Sequence, residues 1–137
     1  MTYLVDTNVL SELRKEGRAD IRVMAWSKSV PGDDLYTSVL IVGEIRQGIE
    51  SVRRRDMPSA LALEQWLMRV VSTYGARILP VDRRVADQWG RLSVPNRLPV
   101  VDGLLAATAL VHDLTLVSRN VRDLERTGAR LLNPWTA

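Results

Sequence analysis

Apolar positions along the chain fall into two kinds of run: short unbroken ones, and longer stripes that return every three or four positions. Tyr3-Leu4-Val5, Leu35-Tyr36-Thr37, Ile78-Leu79-Pro80-Val81, Leu114-Thr115-Leu116-Val117-Ser118 and Arg130-Leu131-Leu132 are the short runs. The first has no in–out alternation, as expected of a strand covered on both faces. The stripes predict helices. Val9, Leu10 and Leu13 lie on the first, which ends in Arg14-Lys15-Glu16-Gly17 with Gly17 as its C′ residue. Asp20 caps a second, in which Ile21, Met24, Ala25 and Lys28 share a face. Val30 to Asp34 is a turn. Ser38 opens a third helix carrying Val39, Leu40, Val42, Ile45 and Ile49 and ending in the basic triplet Arg53-Arg54-Arg55, and Asp56-Met57-Pro58-Ser59 opens a fourth that runs from about Ala60 to Tyr74, where Gly75 stops it. Asp82 caps a fifth with Val85, Trp89 and Leu92. From Val100 to His112 the pattern is apolar almost all round, so that helix is buried. Asn120 to Glu125 is a short last helix capped by Asn120. Strands alternating with helices throughout predict an α/β fold, a parallel sheet with helices on both faces.

Length and composition narrow the chemistry. A chain of 137 residues is one domain, large enough for a real core. It has no cysteine and one histidine, His112, which excludes thiolate and histidine metal cages and cysteine nucleophiles. No basic segment precedes an apolar signal run and no stretch is long enough to span a bilayer, so the expectation is a cytoplasmic protein with no membrane partner. The formal charge is +3 and the pI about 9.8, carried mostly by arginine, since Lys15 and Lys28 are the only lysines. Arginine suits phosphate recognition, yet so small a surplus also describes an ordinary solvated surface.

Four acidic residues stand apart from those in turns and on polar faces. Asp6 falls at the carboxyl end of the first strand, the edge where open α/β sheets build ligand sites; it is also a good cap for the helix that follows. Asp102 sits in the most apolar stretch of the chain, and a carboxylate there costs several kcal/mol unless a cation pairs with it. A helix dipole returns at most about 1 kcal/mol. Glu44 interrupts an apolar helix beside Leu40, Ile41 and Gly48, none of which can pair with it, although a solvated flank also accommodates a Glu. Asp123 follows Asn120 by three residues, the spacing of a capping box. In a doubly wound sheet the strands ending at Asp6 and Ser118 can be neighbours at the point where strand order reverses. The helices bearing Glu44 and Asp102 start at the same edge. Converging carboxylates are ordinarily reconciled by a hard divalent cation, and the lack of sulfur and imidazole points to Mg2+ or Mn2+.

These residues carry a family resemblance. Tyr3-Leu4-Val5-Asp6-Thr7-Asn8, Val42-Gly43-Glu44-Ile45, the run from Asp102 to Ala109, and Leu116 to Leu124 resemble the successive motifs of PIN-domain nucleases, in the family's order. More narrowly, the chain resembles VapC and FitB-type toxins of prokaryotic toxin–antitoxin pairs, and its ending, Leu132-Asn133-Pro134-Trp135, is similar to the tail of that subgroup. The resemblance implies a PIN-like three-layer α/β/α sandwich with a short, mostly parallel sheet. It further implies a Mg2+- or Mn2+-dependent endoribonuclease, usually a homodimer, silenced by a cognate VapB-like antitoxin that docks around Leu10, Leu13, Met24 and Trp26. By position, Asp6, Glu44 and Asp102 match the family's three acids, and Asn120 with Asp123 shares the fourth place. Leu124 stands where an aromatic residue is commoner.

The expected chemistry is phosphodiester hydrolysis of RNA. Asp6, Glu44, Asp102 and Asp123 are the catalytic candidates, and with Asn120 they are the metal-ligand candidates. Thr7, Asn8, Ser118 and Arg119 are expected on the same rim, facing the phosphate. Two rivals stay open. A phosphoacceptor domain also places Asp at a strand end beside Mg2+, but it wants a lysine after a later strand, where neither Lys15 nor Lys28 stands. A binding module with a vestigial acidic pocket would keep the fold without turnover.

Overall fold

The computed structural model describes residues 1–137. Its centre is a five-stranded sheet in the order β3-β2-β1-β4-β5, with every neighbouring pair parallel. The strands are β1 (Tyr3–Val5), β2 (Leu35–Ser38), β3 (Ile78–Leu79), β4 (Thr115–Val117) and β5 (Arg130–Leu132). Each is short, and β3 is shorter than its apolar run because Pro80 has no N–H for the ladder.

The helices fall into two contacting groups. One contains α1 (Thr7–Arg14), α2 (Ile21–Ser29), α3 (Val39–Arg53) and α4 (Met57–Tyr74). The other contains α5 (Arg83–Leu92) and α6 (Val100–Val111), with α6 packed on β4. This is the three-layer α/β/α sandwich expected from the alternation of elements. Leu4, Val5, Leu116 and Val117 in the central strands are buried together with Ile41, Ile49 and Leu105 from the helices, which explains why the strand runs lack polar alternation. No helix is long and apolar enough to cross a membrane.

Most helix starts follow their predicted caps. Asp20, Ser38, Asp56 and Asp82 each accept a backbone N–H from the first turn of α2, α3, α4 and α5. Asp56 starts α4 three residues before Ala60, because Pro58 fits its first turn. Three local expectations fail. Glu16, not Gly17, takes the positive φ, 52°, after α1, within a 3-10 turn at Glu16–Arg18. In α2 the core residue is Val23, while Ile21 is 84% exposed; the cap fixed the start of the helix but not which face meets the sheet. The segment after β4 is no capped α-helix. It is a 3-10 helix at Arg122–Thr127 without a side-chain cap, so Asn120 and Asp123 do not form a capping box.

Candidate active site

The strand order reverses between β1 and β4, and the site lies at the carboxyl end of that pair. Pairing continues one step past β1, where the Asp6 N–H donates to the Val117 carbonyl at 3.0 Å. Asp6 and Ser118 are thereby brought side by side from positions 112 residues apart, and the Ser118 hydroxyl donates to Asp6 Oδ2 at 2.8 Å. Asp6 Oδ1 accepts the Thr7 N–H at 2.7 Å. Capping and site geometry are thus shared between its two oxygens.

Ser118 holds more than Asp6. Its oxygen also accepts from Asn8 Nδ2 at 3.3 Å and from the Asn120 N–H at 3.2 Å. Asn8 in turn accepts the Arg119 N–H on Oδ1 at 3.3 Å. The sequence reading puts Ser118 on a phosphate-facing rim; the structure buries it completely, because its hydroxyl is the hub joining the ends of β1 and β4. Thr7 is likewise occupied, donating its hydroxyl to Glu44 Oε1 at 2.7 Å. That bond crosses from α1 to α3, and it answers why a half-buried Glu is tolerated in an apolar helix face.

Asp102 enters from the first turn of α6, where it is half-buried. Its carboxyl pKa is raised, first by burial and then by the negative charges of Asp6 and Asp123. Every influence on it acts in the same direction; none comes from a hydrogen bond or a basic group. The cation that the sequence demands for Asp102 is therefore not a lysine or arginine of this chain. Asp123 is exposed beside this group, on the 3-10 helix, with Leu124 buried beneath it as a packing residue.

Convergence is looser than four clustered carboxylates. Asp6, Asp102 and Asp123 lie within electrostatic reach of one another, and Glu44 connects through Thr7. No three acidic or histidine side chains stand close enough to chelate an ion as they are. The donor set is nonetheless all oxygen and its charge is unmatched by any ion pair, which fits a hard divalent cation rather than a soft one.

Two further groups were not legible in the sequence. Asn133 donates through Nδ2 to the Arg119 carbonyl at 3.3 Å, and the Arg119 guanidinium lies over the Trp135 ring, 4.9 Å from its centroid. Trp135 is 7% exposed, so it is no platform for a base. Of the basic triplet at the end of α3, Arg53 is engaged by Glu50 and Glu64, whereas Arg54 and Arg55 are exposed and form no ion pair. Leu10, expected on a docking surface, is buried; Leu13, Ile21 and Met24 line a groove between α1 and α2 instead.

An all-parallel sheet in this strand order, with acidic side chains at the carboxyl edge of β1 and β4, defines an α/β/α sandwich with an acidic site, and the comparisons specify its family. The PIN domain family model matches residues 3–129, and the chain belongs to that family. It is 31% identical over 138 residues to Toxin FitB of Neisseria gonorrhoeae, covering 96% of this chain and 97% of that protein. It is also 31% identical over 141 residues to a VapC ribonuclease of Sinorhizobium fredii, covering 96% of each. The crystal structure of FitAcB from Neisseria gonorrhoeae superposes with a TM-score of 0.89 at 29% identity, over 99% of this chain and 100% of that one.

Proposed function

We propose that the chain is a single PIN domain acting as the toxin of a VapBC-type pair, a cytoplasmic endoribonuclease that depends on Mg2+ or Mn2+. The observation that carries this reading is Asp102: a half-buried carboxylate beside Asp6 and Asp123 with no cation of its own. Asp6, Asp102 and Asp123 would hold the ion, with Glu44 and Asn120 at its margin. When bound, the ion lowers the pKa of a water and neutralises charge that develops on the phosphate. The Thr7 hydroxyl fixes one oxygen of Glu44 and leaves the other free, where it would accept a proton from an attacking water. Ser118 keeps Asp6 in one orientation. Arg119 would meet the substrate phosphate with the fork geometry that suits it, and Asn8, whose amide is bonded to Ser118 and to the Arg119 N–H, would hold Arg119 for that contact.

The reading includes a homodimer and a VapB-like antitoxin that silences it. The names of the FitB and VapC relatives support the toxin role, and the apolar groove at Leu13, Ile21 and Met24 supports docking of an amphipathic segment. The test is incubation of a mixed pool of structured RNAs with purified, antitoxin-free protein in Mg2+, in Mn2+ and in EDTA, beside Asp6→Asn. Expected are metal-dependent cuts that the variant fails to make, with its activity down at least a hundredfold. Intact RNA in every lane refutes the nuclease and leaves a binding module.

A further inference from the structure

The chain after β5 folds back toward the acidic edge and grips one residue there. The Trp135 N–H donates to Asn133 Oδ1 at 2.9 Å and the Thr136 N–H to the Asn133 carbonyl at 3.1 Å, which closes residues 133–136 into a turn. From that turn Asn133 Nδ2 holds the Arg119 carbonyl, and the buried Trp135 ring lies under the Arg119 guanidinium. On its other side Arg119 is held by Asn8 through its N–H. Arg119 is thus fixed at both backbone groups and at its charged head, one residue from the serine bonded to Asp6.

What fixes it leaves its charge intact. Arg22, Arg46, Arg53, Arg91 and Arg130 are each paired with a carboxylate. Arg119 is exposed, forms no ion pair, and is oriented by an aromatic face, which engages the plane of the guanidinium and leaves its N–H edge free for a phosphate. We propose that Trp135 is a positioning residue: the C-terminal turn holds Arg119 as a preset clamp for an RNA phosphate next to the acidic site. The inference rests on the ribonuclease reading and adds to it the way one substrate contact is ordered in advance.

The experiment combines two readouts on wild type, Trp135→Leu, Trp135→Phe, Arg119→Ala and the Trp135→Leu/Arg119→Ala double variant. One is anisotropy of a short labelled single-stranded RNA in EDTA, which needs neither metal nor turnover. The other is cleavage of the RNA pool in Mn2+, with melting curves to verify folding. Trp135→Leu and Arg119→Ala each weaken binding about fivefold, the scale of one cation–π contact. The double variant is no weaker than Arg119→Ala, Trp135→Phe recovers most of the binding, and the loss in cleavage falls on KM rather than kcat. Wild-type affinity in a folded Trp135→Leu, or additive losses in the double variant, overturns the proposal while wild-type cleavage keeps the nuclease reading standing. A wild type that neither cleaves nor binds RNA overturns both.

Discussion

Replacing Asp102 by Asn should make the metal-free protein more stable and the metal-loaded protein less so. In the folded state the carboxylate is half-buried beside Asp6 and Asp123, and both circumstances raise its pKa. A group whose pKa is raised on folding costs stability once it is ionised. The cost is absent below its unfolded pKa, grows as pH climbs from there to the folded value, and is constant above it. Solvent reaches this group, so each like-charge contact is worth about 0.2–1 kcal/mol, as for exposed pairs, rather than a dry-interior figure. Against that relief stands the loss of an acid from the first turn of α6, about 0.3–1 kcal/mol. Two such contacts against one dipole contribution leave a net gain for Asp102→Asn in EDTA at pH 7 centred on about 0.5 kcal/mol, a rise in Tm of about 2 °C for a chain of this size.

Divalent ion reverses the order. At ten times its Kd, an ion that binds only the folded wild type adds about 1.4 kcal/mol, or about 5 °C. The variant should gain far less. Scanning calorimetry of both proteins at pH 7 in EDTA and in Mg2+, and again near pH 4 in EDTA, reads the whole pattern: variant above wild type, wild type above variant, and convergence in acid as Asp102 takes up its proton. A variant less stable than wild type in EDTA, or an equal response of both to Mg2+, would refute the assignment of Asp102 as a charge awaiting a cation.

Ser118→Ala removes a fully buried hydroxyl that serves Asp6, Asn8 and the Asn120 N–H, and should cost about 1–3 kcal/mol, with Tm down about 4–10 °C in a melting curve. RNA cleavage by the same variant should fall at least tenfold; unchanged cleavage would show that Asp6 needs no such support. Two glycines make a matched pair. A Cβ on Gly103 would meet Trp89 Cδ1 at 3.0 Å and Leu98 Cβ at 3.4 Å, whereas one on Gly90 meets nothing within 4 Å. Gly90→Ala should therefore raise stability by about 0.5–1 kcal/mol, and Gly103→Ala lower it by about 1 kcal/mol once crowding outweighs the helix gain. Denaturant melts of the two variants distinguish these signs.

What the sequence made legible was local or periodic. The strand before Asp6, the caps at Asp20, Ser38, Asp56 and Asp82, and the buried α6 are each specified by residues within one or two turns, and the structure keeps them. The pairing of β1 with β4 followed from topology, which is why Asp6 and Ser118 were placed on one edge. What stayed hidden depends on three-dimensional contact. Val23 rather than Ile21 enters the core because of how α2 docks, and nothing in the spacing of α2 sets that angle. The Asn120 spacing fits a capping box, but its N–H is drawn to Ser118 and the backbone tightens to a 3-10 helix instead. The Thr7–Glu44 bond spans 37 residues and the Arg119–Trp135 stack unites a rim with a chain terminus, so neither leaves a periodic trace.

The supports around the acids share one property that bears on what the site does. Asp6 is held by a serine hydroxyl and a backbone N–H, Glu44 by a threonine hydroxyl, and Asp102 by neither. Every donor is neutral. Neutral donors orient a carboxylate without cancelling its charge, whereas an arginine in the same place would stabilise the fold and fill the site. Of the basic residues near this edge, Arg119 is turned onto Trp135 and Arg126 donates to the carbonyls of Asn96 and Arg97, while Arg97 and Arg122 line a cleft with Asp123 without an ion pair to it. Negative charge is thus concentrated at the carboxyl ends of β1 and β4 and left to be balanced from outside the chain. A cation is one way to balance it. A basic side chain from a bound partner is another, and the two would exclude each other, so adding Mn2+ should weaken any partner that inhibits by reaching these acids.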